Sequence, residues 1–437
     1  MKEWKATANG KSALLIVGAR RVGKSYSAVN FAKENYKSHL LIDFTKASDE
    51  VKELFNHQAD NFDTFFTMLQ ALYDVTFYER DTVLIFDEVQ AFPRARELIK
   101  HLVTDGRYDY IETGSLMSIR KNVENILVPS EEHEITMHPM DFEEFLWVIG
   151  EEETYQNLHY FLDKKVPLGQ ALHRKMMTLF RQYLIVGGMP QAVKVFAESR
   201  NFKLVDVEKR HILNLYNDDI DKHGGKEALR IKRIYNLIPA QLSETNKRFM
   251  FSAISDNARH REYENALLWL ADAKIVNLCF NTTEPTVGLV SRMDISAFKC
   301  YQCDTGLLIS QTFSEKDLAR EEIYKKILFD KLDFNNGMIM ENAVAQMLMA
   351  AGHDLYYYSE TEDRMEVDFL LTKGKLTSRK NIVAVEVRSG KRFSLTSLKK
   401  YRKKFANRVE QACVLYDGDL MEEDGVLYLP VYMAGMM

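Results

Sequence analysis

Residues 13–25 read Ala13-Leu14-Leu15-Ile16-Val17-Gly18-Ala19-Arg20-Arg21-Val22-Gly23-Lys24-Ser25. The first five form a continuous apolar run, the pattern of a short strand buried on both faces of a parallel sheet. The last eight fit G-x-x-x-x-G-K-[ST] at every fixed position, and a helical pattern follows with Ala28, Phe31 and Ala32 on one face. Strand, glycine loop and helix in that order make a phosphate cradle. Gly18 and Gly23 let the backbone turn its N–H groups inward, and the helix N-terminus adds its positive end. Lys24 is expected on the β- and γ-phosphates of ATP, and Ser25 on a magnesium ion. The loop residues Ala19, Arg20, Arg21 and Val22, with Tyr26 after the serine, complete the expected nucleotide-binding set.

Working outward, a second buried strand over 82–86 ends in Asp87-Glu88. Acids at the C-terminal end of a central strand lie where a doubly wound sheet binds its ligand. Asp87 is expected in the magnesium shell, and Glu88 as the base that orients and deprotonates the attacking water. The stretch 108–115 (YDYIETGS) reads as a further strand that delivers Thr113 or Ser115 to the γ-phosphate or the water. Residues 40–43 supply one more short strand. Binding without hydrolysis is the alternative, and Glu88 argues against it.

The composition bounds what surrounds this site. At 437 residues the chain exceeds a single core. An apolar fraction of 46% excludes wholesale disorder, and a net charge of −5 excludes a uniformly cationic nucleic-acid binder while leaving room for a local basic patch. Four cysteines give no disulfide framework, and Cys300-x-x-Cys303 lacks the second pair that a zinc site needs. No apolar run is long enough to span a bilayer and no signal peptide is evident, so a soluble cytoplasmic protein is expected.

The combination G-A-R-R-V-G-K-S, L-I-F-D-E-V-Q and E-T-G-S resembles AAA+ ATPases of the archaeal-ATPase type, a group bordering the signalling ATPases. The likeness continues in residues 137–146 (MHPMDFEEFL), similar to the family's P-L-S-F-x-E-F-L segment with Met140 departing, and in Tyr183 to Pro190 (YLIVGGMP), similar to Y-x-x-x-G-G-x-P. The resemblance implies an ATPase core over 1–150 and a helical lid over 151–240, with the Gly187-Gly188 corner near the nucleotide. Read from the residues alone, that corner is as readily a structural turn.

Residues 241–325 read as a winged helix. A short helix over 251–256 and a turn lead to a helix over 262–273 with Tyr263, Ala266, Leu267 and Leu270 on one face, then strands at 274–280 and near 299–303. Arg259, His260, Arg261 and Asn265 would face base edges if it binds DNA. A structural or partner-binding role is equally open.

Residues 326–437 change to strands and one amphipathic helix. Glu341 shares a helix face with Val344, Ala345 and Leu348, Asp368 lies inside the strand 365–371, and Glu386 lies in the next strand. This order resembles the PD-(D/E)xK endonuclease group, which implies a second magnesium or manganese site on Glu341, Asp368 and Glu386. Arg388 stands where that group has a lysine, and an arginine cannot give up its proton to act as a base. Lys391 is the candidate substitute. Active nuclease and inactive recognition module both stay open. The basic run Lys391-Arg392 and 399–404 suits phosphates or is merely solvated.

The expected architecture is therefore α/β: a P-loop parallel sheet with helical lid, then a winged helix, then a restriction-endonuclease-like α/β domain. The expected activity is magnesium-dependent ATP hydrolysis acting on or responding to nucleic acid, with an ATP-dependent signalling switch as the alternative. DNA or another nucleic acid and a homo-oligomer are the expected partners, with no membrane. Arg120 is the arginine singled out for a neighbour's site.

Overall fold

The apolar run near the N-terminus forms β1 (Ala13–Gly18), every residue of it buried. In this computed structural model the described residues are 1–57, 61–114, 132–255, 259–286, 288–313, 322–329, 331, 336–362, 364–373, 380–390 and 393–437. Ser115, Arg120, Asp256, Lys391 and Arg392 lie outside them. The chain forms two compact units, Met1–Met137 and His138–Met437.

The first unit runs α1 (Lys2–Ala8), β1, α2 (Lys24–Asn35), β2 (Ser38–Asp43), α3 (Asp49–His57), α4 (Phe62–Tyr73), β3 (Thr82–Asp87), α5 (Pro93–Asp105), β4 (Asp109–Gly114) and β5 (Glu132–Met137). Its five strands are all parallel, in the order β2-β3-β4-β1-β5. The period-two alternation of a strand sorts β1 between two cores. Ala13, Leu15 and Val17 join Phe55, Phe65, Ile99 and Leu102 on one side, and Leu14 and Ile16 join Trp4, Ala28 and Phe31 on the other. Burial on both faces is why β1 and β3 read as unbroken apolar runs.

The second unit begins with helices α6 (Phe142–Ile149), α7 (Glu152–Lys164), α8 (Gln170–Val186), α9 (Pro190–Ser199), α10 (Phe202–His223), α11 (Ala228–Ser243) and α12 (His260–Asp272). The hairpin β6 (Val276–Thr282) and β7 (Met293–Gln302) follows, then α13 (Thr305–Thr312), α14 (Glu322–Leu328) and α15 (Asn336–Ala350). The chain ends with β8 (Tyr356–Glu360), β9 (Met365–Thr372), β10 (Ile382–Val387), α16 (Thr396–Lys404), β11 (Val409–Tyr416), β12 (Met421–Glu423) and β13 (Val426–Pro430). All eight strands belong to one mixed sheet, β12-β13-β11-β10-β9-β8-β6-β7.

That sheet changes the winged-helix picture. The expected helix and its buried face are present, with Tyr263, Ala266, Leu267 and Leu270 inside. The expected short helix is a single 3-10 turn at Phe251–Ala253. The two wing strands pair with each other, but β6 also pairs in parallel with β8 through Phe280–Tyr356 and Asn281–Tyr357. A free edge leaves a row of unpaired backbone groups, and β8 satisfies it. The wing is thus part of the C-terminal sheet. His260 packs edge-on against Phe251, ring centroids 5.5 Å apart, while Arg259, Arg261 and Asn265 are exposed.

A buried polar spine ties the helices of this unit together. Asp304 accepts from Gly188 N at 2.5 Å, Leu307 N at 2.8 Å and Gln346 Nε2 at 3.2 Å. Gln346 Nε2 also donates to the Tyr183 hydroxyl at 2.9 Å, which donates to Met140 O at 2.9 Å. Asn342 Nδ2 donates to Thr305 Oγ1 at 3.0 Å, and Asn342 Oδ1 accepts from Gln302 N at 2.8 Å. The glycines of the 187–188 corner are explained by this crowding. A Cβ on Gly188 would lie 1.9 Å from Met140 O, and one on Gly187, at φ +78°, would lie 2.2 Å from Asp304 Oδ1. Segments far apart in sequence therefore meet at one point and fix the position of α15. Among the described residues no helix is long and apolar enough to cross a membrane.

Candidate functional site

Gly18 ends β1 against the β5 backbone: a Cβ there would sit 2.4 Å from Met137 O. The loop then turns through Arg21 at φ +69° to Gly23 at φ +103°, which caps α2. Such backbone is easy only for glycine, and it opens the first turn of the helix. Ala19 and Val22 are buried beneath the loop, whereas Arg20, Arg21 and Tyr26 are exposed, Tyr26 by 73%.

Lys24, only 7% exposed, bends back across the loop and donates to Gly18 O and Ala19 O, each at 3.1 Å. Its ammonium is thereby held over the cradle. Ser25 donates its hydroxyl to Asp87 Oδ1 at 2.6 Å, and Thr113 donates to the same oxygen. Parallel β1, β3 and β4 end level with one another, which brings the tips of three strands together. A carboxylate ringed by hydroxyls is an oxygen donor set suited to magnesium, so these residues fit the ion that the loop implies. Glu88 follows at φ +53°, an uncommon setting for a non-glycine residue, and Gln90 Nε2 donates to its carboxylate.

One group next to this site was not singled out from the sequence. Glu112, fully buried on β4 beside Thr113, lies near Glu132 of β5, and Arg96 of α5 pairs with Glu132 at 2.7 Å. Burial, then the Glu132 charge, push the Glu112 carboxyl well above its usual range, with Arg96 opposing. An acid inside the run Tyr108 to Thr113 was the available signal.

In the second unit the three expected metal-binding acids do lie close together, but with cations among them. Glu341 accepts from Lys247 and from Tyr301, and from Lys299 Nζ at 3.1 Å. Lys299 Nζ also stands 2.8 Å from Glu366 and 3.6 Å from Asp368. Arg388 pairs with Asp368 at 3.3 Å and with Glu386 at 2.7 Å. Burial raises the Glu341 carboxyl, yet Lys247 and Lys299 outweigh it and hold it down at about 2. Burial lifts Glu386 to about 8, with Arg388 lowering it only in part. Among the described residues no group of three or more His, Cys, Asp or Glu is placed to hold a metal ion. The expected acids Glu341, Asp368 and Glu386 thus meet in one place, with Lys299, Lys247 and Arg388 paired among them. Cys300 and Cys303 are buried free thiols.

Residues 10–146 match the family model described as an AAA domain. Residues 177–317 and 336–433 match two models described as domains of unknown function, DUF8612 and DUF4143. None of the curated proteins compared with the chain matches it. Among solved structures, Drosophila ORC bound to DNA is 13% identical at a TM-score of 0.31, covering 68% of this chain and 90% of that one. The Thermotoga maritima RuvB Holliday junction branch migration motor is 12% identical at 0.30, covering 63% and 84%. The ADP form of Aeropyrum pernix ORC2 is 15% identical at 0.25, covering 76% and 92%. The domain match and the parallel five-stranded sheet mark the first unit as a P-loop domain of AAA+ type.

Proposed function

We propose that the first unit binds ATP with magnesium and hydrolyses it. The observation that carries this reading is the meeting of Ser25, Asp87 and Thr113 at one carboxylate oxygen, beside a loop that holds Lys24 above it. The backbone N–H groups of residues 18–25 cradle the phosphates, and Lys24 lies against the β- and γ-oxygens. Ser25 and Asp87 hold the ion, which when bound neutralises charge on the phosphates. Thr113 donates towards the γ-phosphate or the water, and Glu88 takes the proton of that water.

The second unit serves this activity as a recognition module for nucleic acid. Lys399, Lys400 and Lys403 are exposed along α16 and supply charge of the sign that phosphates need. The pairing of Arg388 and Lys299 with the acids of the sheet favours recognition over cleavage. One experiment tests the reading: ATP turnover by the full chain with magnesium, with EDTA, and with added single- or double-stranded DNA or RNA. Turnover that needs magnesium and rises with nucleic acid supports both parts. Turnover indifferent to nucleic acid leaves an ATP-dependent switch, and none under any condition rejects the ATPase.

A further inference from the structure

In the second unit, the carboxylates stand in the order that implies a divalent metal, yet a lysine from another part of the sheet reaches into their midst. Lys299 lies on β7, opposite Cys279 of β6, and its ammonium passes 5.1 Å from the centroid of the Tyr357 ring on β8 before meeting Glu366 and Asp368 on β9. From the helix side, α15 lowers Glu341 onto the same ammonium, and Tyr301, two residues along β7, donates to Glu341 as well. Carboxylates from β9 and α15 thus converge on one wholly buried nitrogen of β7.

We propose that the Lys299 ammonium is the resident cation of this carboxylate centre and stands where a divalent metal would otherwise bind. An ammonium offers three donors, and three carboxylates surround it. A hard divalent ion needs several oxygens at about 2.0–2.6 Å, and its place among these acids is already filled. Three cations, Lys299, Lys247 and Arg388, are interleaved with the four carboxylates of Glu341, Glu366, Asp368 and Glu386. The lock is hard to release, because removing one partner of a buried ion pair strands the other. Metal-assisted phosphodiester cleavage is closed to this centre, while the fold that carries it persists. This assignment stands independently of the nucleotide site.

The test uses the full chain without nucleotide and manganese as the probe, read by electron paramagnetic resonance. Wild type and Asp368→Asn are expected to take up manganese equally, so that no site depends on Asp368. Lys299→Met, folded by circular dichroism, is expected to gain one site at least tenfold tighter than any in wild type. That site should vanish in Lys299→Met/Asp368→Asn. A wild-type site that disappears in Asp368→Asn would overturn the assignment, as would a folded Lys299→Met that gains nothing. If Lys299→Met does not fold, the comparison of wild type with Asp368→Asn decides the question alone.

Discussion

Ser25 and Asp87 lie 62 residues apart in sequence and share a hydrogen bond of 2.6 Å between hydroxyl and carboxylate. The bond joins the start of a helix to the end of a neighbouring strand. Together with the Thr113 hydroxyl it puts two donors on one carboxylate oxygen at the ends of β3 and β4.

Lys24→Ala removes the ammonium that the Gly18 and Ala19 carbonyls hold over the loop. Nucleotide affinity should fall about 100-fold, roughly 2.7 kcal/mol, the scale of a hydrogen bond to a charged group. Titration with a fluorescent ATP analogue measures it. Unchanged affinity would remove Lys24 from the site.

Glu88→Gln keeps the shape of the side chain but cannot take a proton. Binding should stay within about threefold of wild type and turnover fall at least ~100-fold, the usual contribution of a general base. A variant that turns over at the wild-type rate would show that another group deprotonates the water.

Gly188→Ala drives a methyl into Met140 O, 1.9 Å away on rigid backbone. A loss of about 3 kcal/mol or more is expected, at the upper end of overpacking costs. Gly337→Ala is the contrast, since Gly337 lies in α15 with only Ser389 Oγ near, at 3.9 Å. There helix propensity should add up to ~0.5 kcal/mol. Urea denaturation of both proteins compares them directly, and equal stabilities would discount the packing argument.

Glu386→Gln probes a carboxyl that burial raises to about 8 from the ordinary 4.5, faced by Asp368 and Arg388. An acid with a raised folded pKa favours folding fully below pH 4.5, and that contribution is lost as pH climbs through about 8. Between pH 5 and 8.5 the stability of wild type relative to Glu386→Gln should therefore decline, by on the order of a few kcal/mol. Denaturation series at pH 5.5, 7 and 8.5 follow it. A flat difference would place the proton elsewhere.

The first unit was legible because β1 and β3 are buried on both faces and its loop has fixed residues at fixed spacing. Residues 13–17 and 82–86 fall inside β1 and β3, and 40–43 inside β2. The face of Tyr263, Ala266, Leu267 and Leu270 was legible through helical periodicity alone. The pairing of β6 with β8 was not, since no local pattern records which distant strand will satisfy an edge. Lys299 was missed for a related reason. In the run Ala297-Phe298-Lys299-Cys300 a lysine reads as solvent-facing, and its burial depends on acids supplied by β9 and α15. Those acids were readable as a cluster, but not the cation that binds them.

The strand order of the second sheet also sets a problem of timing. Residues leave the ribosome at about 5–20 per second, and domains tend to fold as they emerge. More than 70 residues separate the end of β6 from the start of β8, so the β6–β7 ribbon is made several seconds before its neighbour exists. Until β8 arrives, the β6 edge is a template for pairing with another nascent chain. Through that interval the edge that β8 will cover stays open to pairing.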